Sequence, residues 1–175
     1  MVGIVSKRLV SFNHFIPHEF ARKPRNISLL KKWKATEFTQ FLLYTGPLAL
    51  FGYLPDALYH NFLILHCAIF ILVQPRLSLH HDYAGDSLKI FVKHHASIYD
   101  SQQVMYNVHN LIHISSDAAK FGHLDACSAF SFQKYMQTIR RFVQGASSCC
   151  TAIYGAEKFL DLAYSIFEPW DLCCQ

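Results

Sequence analysis

The stretch PDALYHNFLILHCAIFILV, residues 55–73, decides the fold. Pro55 suits the first position of a helix, where a missing N–H costs nothing, and Pro75 closes that helix from beyond its end. From Phe62 to Val73 the run is apolar nearly all round, the pattern of a helix buried at the centre of a helical fold. A membrane span is the competing reading. The run rises about 18 Å, against a hydrocarbon core of about 30 Å. His60, Asn61 and His66 make any extension costly. A central core helix is expected, with the remaining helices packed round it.

Upstream, Asn26 and Ser28 are good N-caps for a helix expected to run to about Tyr44, where Gly46-Pro47 stops it. On a helical wheel Leu30, Trp33, Phe41 and Tyr44 share one stripe, with Phe38 at its edge. Glu37 falls inside that stripe. Buried carboxylates are usually paired, so an ion pair with Lys34 or a basic residue of the preceding arm is expected. Downstream, a third helix should begin after Ser78 and end near Tyr99. A fourth covers roughly Val104 to Phe121 and closes at Gly122, a suitable C′ residue. A fifth starts at a Ser131 cap and ends at Gly145, with Phe132, Tyr135, Met136, Ile139 and Val143 at helical spacing. Ala152 to Phe167 allows one more. Only Met1 to Phe12 alternates enough to allow a short strand. The expectation is an all-α fold, an irregular bundle of four to six helices. It divides into a basic N-terminal arm (1–25), a helical domain (26–145) and a C-terminal tail of different character (146–175).

Length fits one domain with a real core: the chain has 175 residues. It is 52% hydrophobic and only 16% charged, greasy for a free-standing soluble domain. Such a composition implies apolar faces that pack on something else, or a chain that meets a membrane. The net charge of +4 is local. Six of the sixteen Lys and Arg residues (Arg22, Lys23, Arg25, Lys31, Lys32 and Lys34) fall within thirteen positions, uninterrupted by acid. A positive arm joined to an amphipathic helix points to a polyanion, with weak, non-specific DNA contacts carried by Arg22, Lys23, Arg25, Lys31 and Lys32. The opening MVGIVSKRLVSF is too short and too charged for a secretory signal. The six cysteines (Cys67, Cys127, Cys149, Cys150, Cys173 and Cys174) form no CxxC. A reduced, intracellular setting is expected, nuclear if the chain acts on DNA.

Eleven histidines invite a metal reading. His109 and His113 stand four apart on the fourth helix and face one way with Tyr106, Asp117 and Lys120. Val108, Leu111, Ile112 and Ala119 take the other side. HNLIH has the histidine spacing of a zinc-protease helix but lacks the glutamate that activates water. A structural zinc needs two more ligands, and none is near in sequence. Tyr106, His109, His113 and Asp117 are therefore expected to line a polar seam against a neighbouring helix, without metal. His80–His81 and His94–His95 are adjacent pairs that point apart on a helix, expected to face solvent. There is no G-x-S-x-G, Cys127 has only distant histidines, and the seven glycines are isolated. Neither a nucleophile scheme, a cofactor nor a small-molecule substrate is indicated.

Several words carry a resemblance. HEFARKPR, WKATEFTQFLLYTGP, LPDALYHNFLILHCAI and YNVHNLIH, in collinear order between Leu9 and Val143, resemble the C-terminal helical region of CACTA-like DNA transposases of invertebrate genomes. The resemblance implies a helical part of a larger transposase that cuts DNA with metal ions held by three carboxylates. By that resemblance two aspartates belong upstream of this chain. The third acid would lie in the family's F-P-F-E-N-Y word, matched here by Phe130-Ser131-Phe132-Gln133-Lys134-Tyr135. Gln133 stands at the glutamate position and, being neutral, is a poor ligand for a hard cation. The expectation is a truncated, non-catalytic chain. A helical module that self-associates through apolar faces is the alternative, and a membrane-associated helical protein the third.

Overall fold

The computed structural model describes residues 2–20, 22–99 and 104–126. The expected fifth helix with Gln133 and the tail from residue 146 lie outside them. Among the described residues there are six α-helices and no strand: α1 (Val2–Ser11), α2 (Ala35–Gln40), α3 (Gly46–Leu50), α4 (Asp56–Val73), α5 (His81–Tyr99) and α6 (Tyr106–Phe121). Tight 3₁₀ turns fill Phe12–His14, Ile27–Lys32 and Pro75–His80. The protein is all-α.

Helices α4, α5 and α6 form the larger core. From α4 come Leu65, Ala68, Ile69 and Leu72, from α5 Ala84, Leu88, Phe91 and Val92, and from α6 Val108, Leu111 and Ala118. Each set keeps the three-and-four spacing of one helical face. Gly122 closes α6 as expected, with φ of 94° and its N–H on the Ala118 carbonyl at 3.0 Å. The chain then crosses to α4, where the Leu124 N–H donates to the Leu72 carbonyl at 3.0 Å.

One expectation about α4 needs correction. Its buried residues (Asn61, Phe62, Leu65, Ala68, Ile69 and Leu72) occupy one stripe, a third of the helix, so it is not buried all round. Composition makes both sides apolar, but only one is covered among the described residues. By length and composition alone α4 is also long enough to cross a membrane, with a mean hydropathy of 1.7.

A second, aromatic core sits at the other end. It gathers Val5 and Leu9 of α1 with Trp33, Phe38, Phe41, Ala49, Leu50 and Phe62. The short strand allowed over Met1–Phe12 is α-helix instead. A lone strand would leave its backbone groups unpaired, whereas a helix satisfies them internally and sets Val5 and Leu9 on one face. The boundary drawn at residue 25 therefore separates nothing in space. The Ser6 hydroxyl accepts the Ile27 N–H at 3.3 Å, and Arg8 donates to the Phe51 carbonyl at 2.8 Å while lying over the Tyr53 ring.

The expected continuous helix to Tyr44 is broken. Asn26 does cap, accepting the Ser28 N–H at 2.8 Å, but it caps a 3₁₀ turn. Trp33 and Lys34 are extended (ψ of 149° and 159°), and α2 begins afresh. Gly46-Pro47 does not stop the chain either. The Pro47 ring would clash with the carbonyl four residues back, and proline has no N–H to give. The helix widens to a π-turn at Phe41–Thr45, where the Gly46 N–H reaches the Phe41 carbonyl, and continues as α3. One carbonyl is stranded by this change. Leu42 O loses its α-type donor, since Gly46 is spent on Phe41, and its π-type donor would be Pro47. His66 of α4 fills the gap: its Nδ1–H donates to Leu42 O at 2.7 Å, which fixes the tautomer.

Gly46 also has no room for a side chain. A Cβ there would lie 2.6 Å from the Phe41 carbonyl oxygen and 2.7 Å from the Phe62 ring. Gly46→Ala should destabilise the protein by about 1–3 kcal/mol through forced repacking, read as a lowered urea midpoint. An unchanged midpoint would show that this crossing is not tight.

The pair His94–His95 was expected to face solvent. His94 does, but His95 is only 1% exposed. It continues the stripe of Leu88, Phe91 and Val92 and lies between the rings of Phe91 and Tyr99, at 5.8 and 4.7 Å. Among the described residues, neither ring nitrogen has a hydrogen-bond partner. Burial pushes its pKa below the ordinary 6.5. The unfolded chain therefore takes up the proton first, so this contribution is complete above pH 6.5 and is lost as the pH falls below it. His95→Leu should remove that loss below pH 6.5 without lowering stability at pH 7, as followed by thermal melts across pH.

Candidate nucleic-acid interface

The basic arm is fixed to the fold by one carboxylate. Glu37 stands in the first turn of α2, buried at 3% exposure. Its oxygens accept from Arg25 Nε at 2.5 Å and Nη2 at 2.8 Å, and from the Lys34 N–H at 2.8 Å. The expected pairing with a residue of the arm is present, and the partner is Arg25. Glu37 also caps α2, taking the Lys34 N–H that the helix start leaves unsatisfied. Arg25 reaches further, donating to the Lys32 carbonyl at 2.7 Å. Burial pushes the Glu37 carboxyl up, but the hydrogen bonds from Arg25 and Lys34 and the charges of Arg25 and Arg22 outweigh it, holding the carboxyl below 4.5. The hydrogen bond to Glu37 raises Arg25 above its usual value.

Arg25 was expected among the phosphate-binding cations. The structure commits its Nε and Nη2 donors to Glu37 and to the Lys32 carbonyl, where they hold the arm. Arg22, Lys23, Lys31 and Lys32 are exposed, as is Lys34, and none of them enters an ion pair among the described residues. Arg25 thus draws the two halves of the basic stretch together: Arg22–Lys23 on its own strand of chain, Lys31–Lys32 at the carbonyl it grips. The charge is also segregated. Residues 1–54 hold eight Lys and Arg against two Glu, whereas residues 55–126 hold four against six Asp.

Tyr106, His109, His113 and Asp117 share one face of α6, as their spacing requires, but that face is exposed. The expected seam is corrected accordingly. Helix α5 packs on the opposite stripe of α6, at Val108, Leu111 and Ala118, and no described helix covers the histidines. The His109 and His113 rings meet edge to face at 5.8 Å, with no hydrogen bond between His113 and Asp117. Among the described residues no group of three His, Cys, Asp or Glu side chains is placed to hold a metal. Gln133 lies outside the described residues.

Compared with protein-family models, curated proteins and solved structures, the chain matches none.

Two contributors stand outside the expected site residues. Lys34 adds an exposed cation to the arm, and His66 supports the π-turn beneath it. The first was visible in the sequence as a charge next to the Lys31–Lys32 pair. Only the missing proline N–H could have signalled the second.

Glu37→Ala should cost on the order of 1–3 kcal/mol, because it strips the cap acceptor and leaves a charged partner without its hydrogen bonds. Since the Glu37 pKa is depressed in the fold, its contribution is present above pH 4.5 and lost as the pH falls through its lowered value. The acid limb of a stability profile below pH 4.5 should therefore flatten in Glu37→Ala. A variant with the parent's acid limb would place the acid sensitivity elsewhere.

Proposed function

We propose that this chain is a non-catalytic helical protein of transposase origin that makes weak, sequence-independent contacts with nucleic acid through Arg22, Lys23, Lys31 and Lys32. The observation that carries the proposal is the set of exposed cations, without ion pairs among the described residues, held by Arg25 and Glu37 in the acid-poor stretch 1–54. A pinned arm presents its charges without first having to be ordered, which favours phosphate contact. Such contacts position a protein on a duplex but read no bases. The resemblance of HEFARKPR and WKATEFTQFLLYTGP to transposase words supports the origin, and Gln133 at the glutamate position supports the lack of catalysis.

Binding to two unrelated duplexes of equal length, followed by fluorescence anisotropy, tests the reading. Equal affinities are expected, with log Kobs falling against log salt at a slope of roughly −3 to −4 for about four neutralised phosphates. Neutralising Arg22, Lys23, Lys31 and Lys32 together should abolish binding; undiminished binding would reduce the arm to a solvated surface. With Mg²⁺ or Mn²⁺ the purified protein should neither nick nor join DNA. Cleavage that disappears on mutating this chain would refute the non-catalytic part.

Self-association is the second reading, favoured by the exposed Leu48 and Phe51 at the end of α3. A sedimentation coefficient that rises with concentration, and falls on Phe51→Ser, would support it.

A further inference from the structure

The exposed cations of the arm stand beside an aromatic surface that phosphate contacts leave unused. Tyr44, in the π-turn after α2, is 47% exposed although the half-buried Phe20 ring meets it edge to face at 5.2 Å. Phe20 precedes Arg22 by two residues, and Tyr44 follows Glu37 by seven. The arm therefore runs antiparallel to this helix, with Phe20 against Tyr44 at one end and Arg25 against Glu37 at the other. The two contacts are about 10 Å apart at helical rise. Arg22 and Lys23 are exposed between them, and Lys31 and Lys32 are exposed at the carbonyl that Arg25 grips. We propose that this row binds an unpaired DNA strand, with phosphates on Arg22, Lys23, Lys31 and Lys32 and one base stacked on the exposed Tyr44 ring. The proposal rests on the nucleic-acid reading above and narrows it to one kind of strand.

Each part of such a ligand has a counterpart. A base inside a duplex is already stacked on its neighbours, whereas an unpaired base can lay its face on a protein ring. Every base has such a face, so a basic track with an aromatic platform holds single strands without reading sequence. Tyr44 is held by its helix and by Phe20, so little side-chain freedom is lost when a base settles on it. Charge complementarity sets this ring apart from the exposed Tyr83 and Tyr106. Those lie in the stretch 55–126, where Asp outnumbers Lys and Arg and a phosphate is repelled. The sign of the preference is also decisive. Each phosphate contact releases more counterion from a duplex than from a single strand, ~0.9 against ~0.7. Charge alone thus favours the duplex, and a preference for the single strand has to come from the ring.

Fluorescence anisotropy of the full-length protein tests this with three labelled probes of equal length: an oligothymidylate, an abasic strand with the same backbone, and a duplex. At one salt concentration the thymidylate should bind about tenfold more tightly than the abasic strand, and more tightly than the duplex. Tyr44→Ala should weaken thymidylate binding about tenfold and leave duplex affinity unchanged. Tyr44→Phe should keep both, and Tyr83→Ala should alter neither. Thymidylate and abasic strands bound equally would overturn the proposal while leaving the phosphate contacts standing. A Tyr44→Ala variant that loses the duplex in the same proportion would overturn it too, because Tyr44 would then support the arm and not touch a base. Failure of the parent to bind any probe would remove the nucleic-acid reading itself, and this proposal with it. The abasic comparison uses the unaltered protein, so it decides the matter even where Tyr44→Ala does not fold.

Discussion

The bidentate contact between Arg25 and Glu37 is the constraint on which the first half of the molecule depends. A carboxylate at 3% exposure is tolerable only if its lone pairs are filled, and here two guanidinium donors and one backbone N–H fill them. Each donor has a structural consequence. The Lys34 N–H starts α2, and Arg25 brings the chain before the 3₁₀ turn against the chain after it. The same guanidinium ties down the Lys32 carbonyl. Lysine could not do all of this, because the planar fork matches a carboxylate edge and still has a donor for the carbonyl. A charge that sequence alone assigns to DNA is spent on shape, and it presents the remaining cations together.

The second constraint lies beneath it. Pro47 denies the helix a donor and Gly46 allows the backbone to approach Phe62, so the chain widens into a π-turn and lies close on α4. His66 completes the arrangement by donating to the carbonyl that proline leaves bare. Phe62 faces the aromatic core while Leu65, a turn later, faces the larger one. Helix α4 is therefore shared between two cores, and the polar contact from His66 sits where they meet. Removing an acceptor's only strong donor in such a place costs more than a surface hydrogen bond returns.

How far the sequence could be read differs by kind of signal. Burial was legible in part: Trp33, Phe38 and Phe41 are in the core and Glu37 has a basic partner, but Tyr44 of the same stripe is exposed. Backbone was less so, because a helical wheel records side-chain direction and not the extended ψ of Trp33 and Lys34. His95 was legible in principle, since it continues the Leu88, Phe91 and Val92 spacing while its neighbour His94 points to solvent. The His109 face was read correctly as one face and wrongly as a covered one. Periodicity tells which residues share a side, but not whether another element arrives there. The same limit applied to α4, whose composition is apolar on both sides.

The two ends of the molecule consequently solve different problems. In residues 1–54 base outnumbers acid and the cations of the arm are exposed, beside apolar side chains such as Leu48 and Phe51 that the aromatic core leaves uncovered. From α4 onward, acid outnumbers base and an apolar stripe of α4 is left over. A polyanion would be repelled by the second half and attracted to the first, which orients any encounter before contact. The arm is held through α2, whereas the apolar stripe belongs to α4. The cationic surface and the apolar surface can therefore be altered one at a time.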